Sequence, residues 1–231
     1  MNLRYTVLMM PAFLIGCASL PSLDGRTESR YLDTPSSPRL EASLKLAHEK
    51  QPADSDADTS DVYLLNDAHD AFVARAELID AADHTLDIQY YIWHNDISGK
   101  LLFNLVHRAA ERGVRVRLLL DDNNTDGLDN ILLALDSHPN IEIRLFNPFV
   151  SRRWRALGYL TDFPRLNRRM HNKSLTADNR ATIVGGRNIG DEYFKVGEDT
   201  VFADLDILAT GKVVTEVSED FDRYWASNSA Y

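Results

Sequence analysis

With 231 residues, 44% of them hydrophobic, the chain has material for one core and a small attachment, and two full domains would be crowded. Its formal charge of -10 excludes a general electrostatic affinity for nucleic acid or anionic membrane, so any such contact must come from local charge. A single cysteine excludes an internal disulfide framework and a cysteine-based metal site.

The N-terminal stretch "MNLRYTVLMMPAFLIGCASL" carries Arg4, then an apolar run, then small residues. This is the layout of a secretory signal, too short to cross a membrane and stay. The order Leu14, Ile15, Gly16, Cys17 resembles the bacterial lipobox, which implies a signal peptide over 1–16 and a lipid on Cys17. Acyl chains contribute about 0.8 kcal/mol per buried CH2, enough to hold a lipoprotein on a membrane, here facing the periplasm. Ala18, where an aspartate would favour the inner membrane, implies the outer one. Residues 17–61 turn to Ser, Asp, Pro, Thr and Glu, which predicts a flexible tether with at most a short helix over 40–50.

The globular pattern covers 62–228. Residues 67–83 place Ala68, Ala71, Phe72, Leu78, Ile79 and Ala82 on one helical face. "TLDIQYYIW" follows as a strand, apolar on both faces near its end and therefore central. Ser98 is placed to cap a helix striped by Leu101, Leu102, Leu105, Val106 and Ala109, and Gly113 ends it. "VRVRLLLDD" is the next strand, so strand, helix and strand predict a parallel pair with a crossover. Its terminal Asp121 and Asp122 are read as the start of the following segment. A helix over 128–137 and a strand over 141–146 extend the alternation. Strands over 173–177, 182–184 and 204–209 and a helix over 212–226 complete it. The class is α/β, with a mixed, mostly parallel sheet flanked by helices.

Between these elements, residues 148–188 hold nine basic residues against two acids, a local reversal on an acidic chain. Trp154, Tyr159 and Phe163 are interleaved with arginines over 152–169, which predicts an interfacial loop whose Arg heads meet lipid phosphates. His69, His84, His94, His107 and His138 show no metal-ligand pairing, and no metal or cofactor is expected.

The stretch "RMHNKSLTADNRATIVGGRN" concentrates the chemistry. A phosphodiester is anionic and resists nucleophiles, so an enzyme working without metal must neutralise its oxygens and attack with a group that leaves again. Imidazole can attack, while ammonium and carboxamide can donate to phosphoryl oxygens. On an extended strand His171 and Lys173, at i and i+2, project from one face and can touch one phosphate. Gly185 and Gly186 remove side chains where backbone must come close, and Asn188 follows on the turn. Asp178 is read as ending the strand and tying the loop by hydrogen bonds.

His171, Lys173, Asp178, Gly185, Gly186 and Asn188 match the HxKxxxxD(x6)GGxN signature of the phospholipase D superfamily at every spacing. Residues 62–226 resemble the N-terminal lobe of bacterial type C cardiolipin synthases. The resemblance implies that His171, Lys173, Asp178 and Asn188 are catalytic. It also implies a carboxylate on a later strand that orients His171, with Asp204 the better candidate and Asp206 the next. Gly185, Gly186, Arg168 and Arg169 are the expected substrate contacts. Its reaction is phosphatidyl transfer through a phosphohistidine, with phosphatidylglycerol or phosphatidylethanolamine as glycerophospholipid partners at a membrane. Hydrolysis by water, a dimeric single-motif nuclease and an inactive lipid-binding lobe are the alternatives, and nucleic acid is disfavoured by the charge. The family uses two such motifs, one His attacking and one protonating the leaving oxygen. The chain carries one and ends at Tyr231, so a second lobe is expected from a homodimer mate or a separate chain.

Overall fold

The computed structural model describes residues 19–34, 36–48, 59–197 and 202–231. The expected signal peptide and Cys17 lie outside the described residues. In chain order the elements are α1 (Pro38–His48), β1 (Ser60–Leu65), α2 (Ala68–Ala81), β2 (Thr85–Tyr90), α3 (Ile97–Glu111), β3 (Arg115–Asp121), α4 (Asp129–Asp136) and β4 (Ile141–Phe146). There follow α5 (Arg155–Thr161), α6 (Phe163–Leu166), β5 (Ser174–Ala177), β6 (Ala181–Gly185), α7 (Asp191–Phe194), β7 (Asp206–Gly211) and α8 (Lys212–Trp225).

The strands form one seven-stranded sheet in the order β1-β7-β6-β5-β2-β3-β4. β2, β3 and β4 run parallel through α3 and α4, as strand–helix–strand spacing requires. The other four pairings are antiparallel, so the sheet is mixed but not mostly parallel as expected from the sequence. Three of these pairings join segments distant in sequence, and one, β5 with β6, is local. β5 and β6 are joined by a turn in which Asp178 and Asn179 both take positive φ, 54° and 53°, and Arg180 N–H donates to Ala177 O. Such a turn reverses the chain at once, and Asp and Asn are among the few non-glycine residues that tolerate it. The Asp178 carboxylate then accepts from the N–H groups of Asp83, His84 and Thr85 at 2.9, 2.8 and 2.7 Å, locking the turn to the entry of β2.

β2 is buried along its whole length, consistent with a central place. Alternation sends Val116, Leu118 and Leu120 of β3 into the large core under α2 and α3, and Leu119 to the other face, against Met170, Phe221 and Trp225. α3 is capped by Asp96, whose side chain accepts from Gly99 N–H, rather than by Ser98, and Gly113 ends it at φ 95°.

The face under α8 is polar at its centre. Arg117 is buried there, with Nε and Nη2 each 2.7 Å from the Asp87 carboxylate and Nη2 2.8 Å from Asp222. Arg144 lies over the Trp225 ring at 4.0 Å. Buried guanidiniums need acceptors for their donors, and the N-terminal stretch supplies several of them. Thr27 O accepts from Arg144, Ser29 O from Arg117 and Arg30 O from Arg115. Arg26 in turn donates to the carbonyls of Ser227 and Ala230. Leu40 of α1 is buried in the main core. Where it is described, therefore, the stretch expected as a flexible tether over 17–61 lies bound along the lobe. A count of apolar residues misses this, because much of the attachment is by hydrogen bonds between arginines and backbone carbonyls distant in sequence.

Candidate active site

The site stands at the end of the sheet where β2, β3 and β4 finish and β5 begins. Met170 is buried and its N–H donates to Asp121 Oδ2 at 2.8 Å, which fixes the main chain just before His171. The imidazole itself is exposed. Its ring lies 4.6 Å from that of Tyr91, centroid to centroid, at an interplanar angle of 39°. Lys173 Nζ is 3.1 Å from His171 Nδ1, 2.8 Å from His171 O and 5.6 Å from the centre of the Tyr91 ring. The two side chains predicted to share a face do so, and they meet. Burial holds the Lys173 pKa below its ordinary value, while Asp204 and Asp206 pull it back up.

The glycine pair has a definite role. A Cβ on Gly185 would strike Asp206, whose Cα would be 2.6 Å away, and one on Gly186 would strike the carboxylate of Asp204. The side chains are removed to admit β7 and its acids. Asp206 is fully buried and committed to arginines: Oδ2 is 2.8 Å from Arg75 Nη2 and 3.3 Å from Arg187 Nη1, and Oδ1 accepts from Arg187 N–H at 3.1 Å. Asp204 is half-buried against Gly186, and among the described residues no hydrogen bond joins it to His171. Asn188 Oδ1 accepts from Ile92 N–H at 3.1 Å, and its Nδ2 donates to Tyr193 OH at 3.0 Å, which leaves one amide hydrogen.

Two expected site residues, Asp178 and Arg169, are committed elsewhere. Asp178 is at the far end of β5 from His171 and serves the turn. The Arg169 guanidinium is turned inward, 3.3 Å from Asp121 Oδ1 and donating to Asn147 O at 2.5 Å, so its charge is already paired. Arg168 is exposed beside the motif. Sequence reasoning missed Tyr91, which follows directly on β2 in a stretch read as a central strand, and Asp121, whose service to Met170 depends on a contact 49 residues away.

Burial raises the Asp121 carboxyl to about 6, against the opposing pull of Arg169 and the Met170 N–H. The folded chain thus holds this proton more tightly than the unfolded one. The group's contribution to stability is full below about pH 4 and falls as pH rises to about 6. Asp121→Asn is expected to abolish that loss, up to roughly 3 kcal/mol, leaving a pH-independent cost for the acceptor it no longer offers. Urea unfolding at pH 4.5 and 7 measures it, and wild-type and variant stabilities that change in parallel would contradict the assignment.

Among the described residues, one set has metal-ligand proximity: His94, Asp96 and Glu192 offer ligand atoms within 4.8 Å of one another. Asp96 already caps Gly99 and Asp191, and Glu192 pairs with His94 Nδ1 at 3.1 Å, which accounts for the cluster.

An exposed imidazole backed by an ammonium, on the open end of a mixed sheet, with a glycine pair admitting carboxylates beside it, defines a phospholipase D-like lobe. The family model described as "Cardiolipin synthase, PLD-like domain" matches residues 76–225, and the chain belongs to that family. It is 62% identical over 168 residues to cardiolipin synthase C of Escherichia coli strain K12, a match covering 73% of this chain and 36% of that protein. The chain spans about a third of the length of the curated relatives it matches. Among solved structures it resembles the phospholipase D family member Nuc from Salmonella typhimurium, with a TM-score of 0.53 and 18% identity over 75% of this chain and 97% of that one. It also resembles phosphatidylserine synthase of Haemophilus influenzae Rd KW20, with a TM-score of 0.56 and 15% identity over 84% of this chain and 42% of that one. At these identities the structures bear on the fold alone.

Proposed function

We propose that this lobe performs phosphatidyl transfer between glycerophospholipids, as one half of a two-motif site. The observation that carries the reading is the 3.1 Å contact between Lys173 Nζ and His171 Nδ1 on an open face, an electrophile-binding cation and a nucleophile within reach of one phosphate. With Nδ1 accepting from Lys173, a neutral imidazole carries its proton on Nε2. Attack by Nε2 requires the opposite tautomer. A bound phosphodiester triggers the exchange: its oxygens draw Lys173 away, Nε2 gives its proton to water as Nδ1 takes one from water, and Nδ1–H turns to a carboxylate. Asp204 is the carboxylate for that role, since Asp206 is held by Arg75 and Arg187. The Nε2 lone pair then forms the N–P bond as the P–O bond to the leaving alcohol breaks. A second motif, from a homodimer mate or a separate chain, gives that alcohol its proton. The hydroxyl of an acceptor lipid such as phosphatidylglycerol returns a proton to the same group as it displaces His171.

Mass analysis of lipids in a host lacking its own cardiolipin synthases tests the reading, with the chain expressed alone and then with a second-lobe chain. Cardiolipin is expected once both motifs are present. Phosphatidic acid without cardiolipin would replace transfer by hydrolysis, and an unchanged lipid profile under both conditions would refute the reading.

No described helix is long and apolar enough to cross a membrane. Attachment through a lipid on Cys17, on the periplasmic side of the outer membrane, is the anchoring we propose. It rests on the lipobox-like order at 14–17. Cys17→Ser should lose labelling by palmitate, and retained labelling would exclude that anchor.

A further inference from the structure

We propose that the segment carrying α5 and α6 is a membrane-inserting surface that seats the site on a phospholipid bilayer by apolar contact. The inference rests on the lipid reading above. The segment leaves β4 at Phe146 and returns at Met170, so it stands at the same end of the sheet as His171. Its arginines, expected from the sequence to face lipid phosphates, are largely turned inward. Arg152 pairs with Asp122 and Asp129, Arg155 donates to Asp122 O at 3.0 Å, and Arg165 donates to Asn147 Oδ1 at 2.7 Å. Four of the side chains that the segment presents outward are large and apolar: Val150 is 41% exposed, Trp154 60%, Leu160 82% and Phe163 54%. Four large apolar side chains on one short excursion are costly in water, and an indole suits the headgroup level of a bilayer. Arg168, exposed between this patch and His171, is placed to meet a lipid phosphate. The patch is also tied to the site. Tyr159 OH donates to Asn123 Oδ1 at 2.6 Å, Asn124 Nδ2 donates to Tyr91 O at 3.2 Å, and the Tyr91 ring backs His171. A bilayer is the occupant because the substrate resides there and the site opens beside the patch.

The chain has three tryptophans, and Trp93 and Trp225 are buried, so Trp154 reports on the surface. The full chain carrying Cys17→Ser is mixed with vesicles of brominated phosphatidylcholine, with and without phosphatidylglycerol. Trp154 emission is expected to shift to the blue and to be quenched in both, and Trp154→Phe should abolish the quenching. Leu160→Ser with Phe163→Ser should weaken vesicle partitioning by about tenfold or more. Bound chain whose Trp154 stays unquenched would overturn the proposal. So would Trp154 shielded from aqueous quenchers without vesicles in a species whose mass grows with concentration, since a second lobe or copy then covers the patch. A phosphohistidine adduct formed from soluble short-chain lipid, with no insertion into vesicles, would sink this inference alone and leave the phosphatidyl-transfer reading standing.

Discussion

In an assembly that supplies the second motif, His171→Ala is expected to abolish the acid-trapped phosphatidyl adduct and to lower turnover by at least about 10⁴-fold, because the proposed N–P bond is made at this imidazole. Lys173→Ala should also be severe, but for a different reason. It removes the cation that neutralises the phosphoryl oxygens and the donor to Nδ1, so adduct formation slows rather than disappears. Asp204→Asn separates the tautomer argument from mere proximity. If Asp204 receives Nδ1–H during attack, the neutral amide should slow turnover by about 10³- to 10⁴-fold with the fold intact. An adduct trapped in the His171→Ala protein, or full activity in Asp204→Asn, would reassign these roles.

The largest effect on stability is expected at Asp206, two residues further along the chain. Replacement by alanine strands Arg75 and Arg187, both buried, and leaves Arg187 N–H without its acceptor. Breaking a buried ion pair from one side costs roughly 3–5 kcal/mol. Against a total of about 5–15 kcal/mol for a domain, that brings the lobe close to unfolding. Urea unfolding of Asp206→Ala reads the loss directly, and a change below about 1 kcal/mol would show that the arginines find other partners. Two acids at i and i+2 thus have different fates: one is spent on the core and the other remains at the site.

That pair shows where sequence reasoning stops. The spacing of His171 and Lys173 places both side chains on one face through the period of an extended chain, and the structure brings their nitrogens to 3.1 Å. The turn at Asp178 is legible for the same reason, since its residue types and offsets act over a few positions. Asp204 and Asp206 are not separable by that logic, because both point the same way from the strand. What divides them is Arg75, which comes from α2, 131 residues from Asp206.

The same division runs through the whole chain. Local spacing, periodicity and turn chemistry, acting over a few residues, determine that this is an α/β lobe with a parallel β2–α3–β3 unit and a His171–Lys173 pair. Pairing between distant segments was decided by the tertiary structure alone. It made the sheet mainly antiparallel, bound the N-terminal stretch to Arg115, Arg117 and Arg144, and turned Arg152, Arg155 and Arg169 inward onto Asp121 and Asp122. Composition records how many charges a segment carries, but a guanidinium finds its partner only when the chain closes on itself. Burial then makes that partner obligatory, and the apolar residues between the arginines are left facing outward.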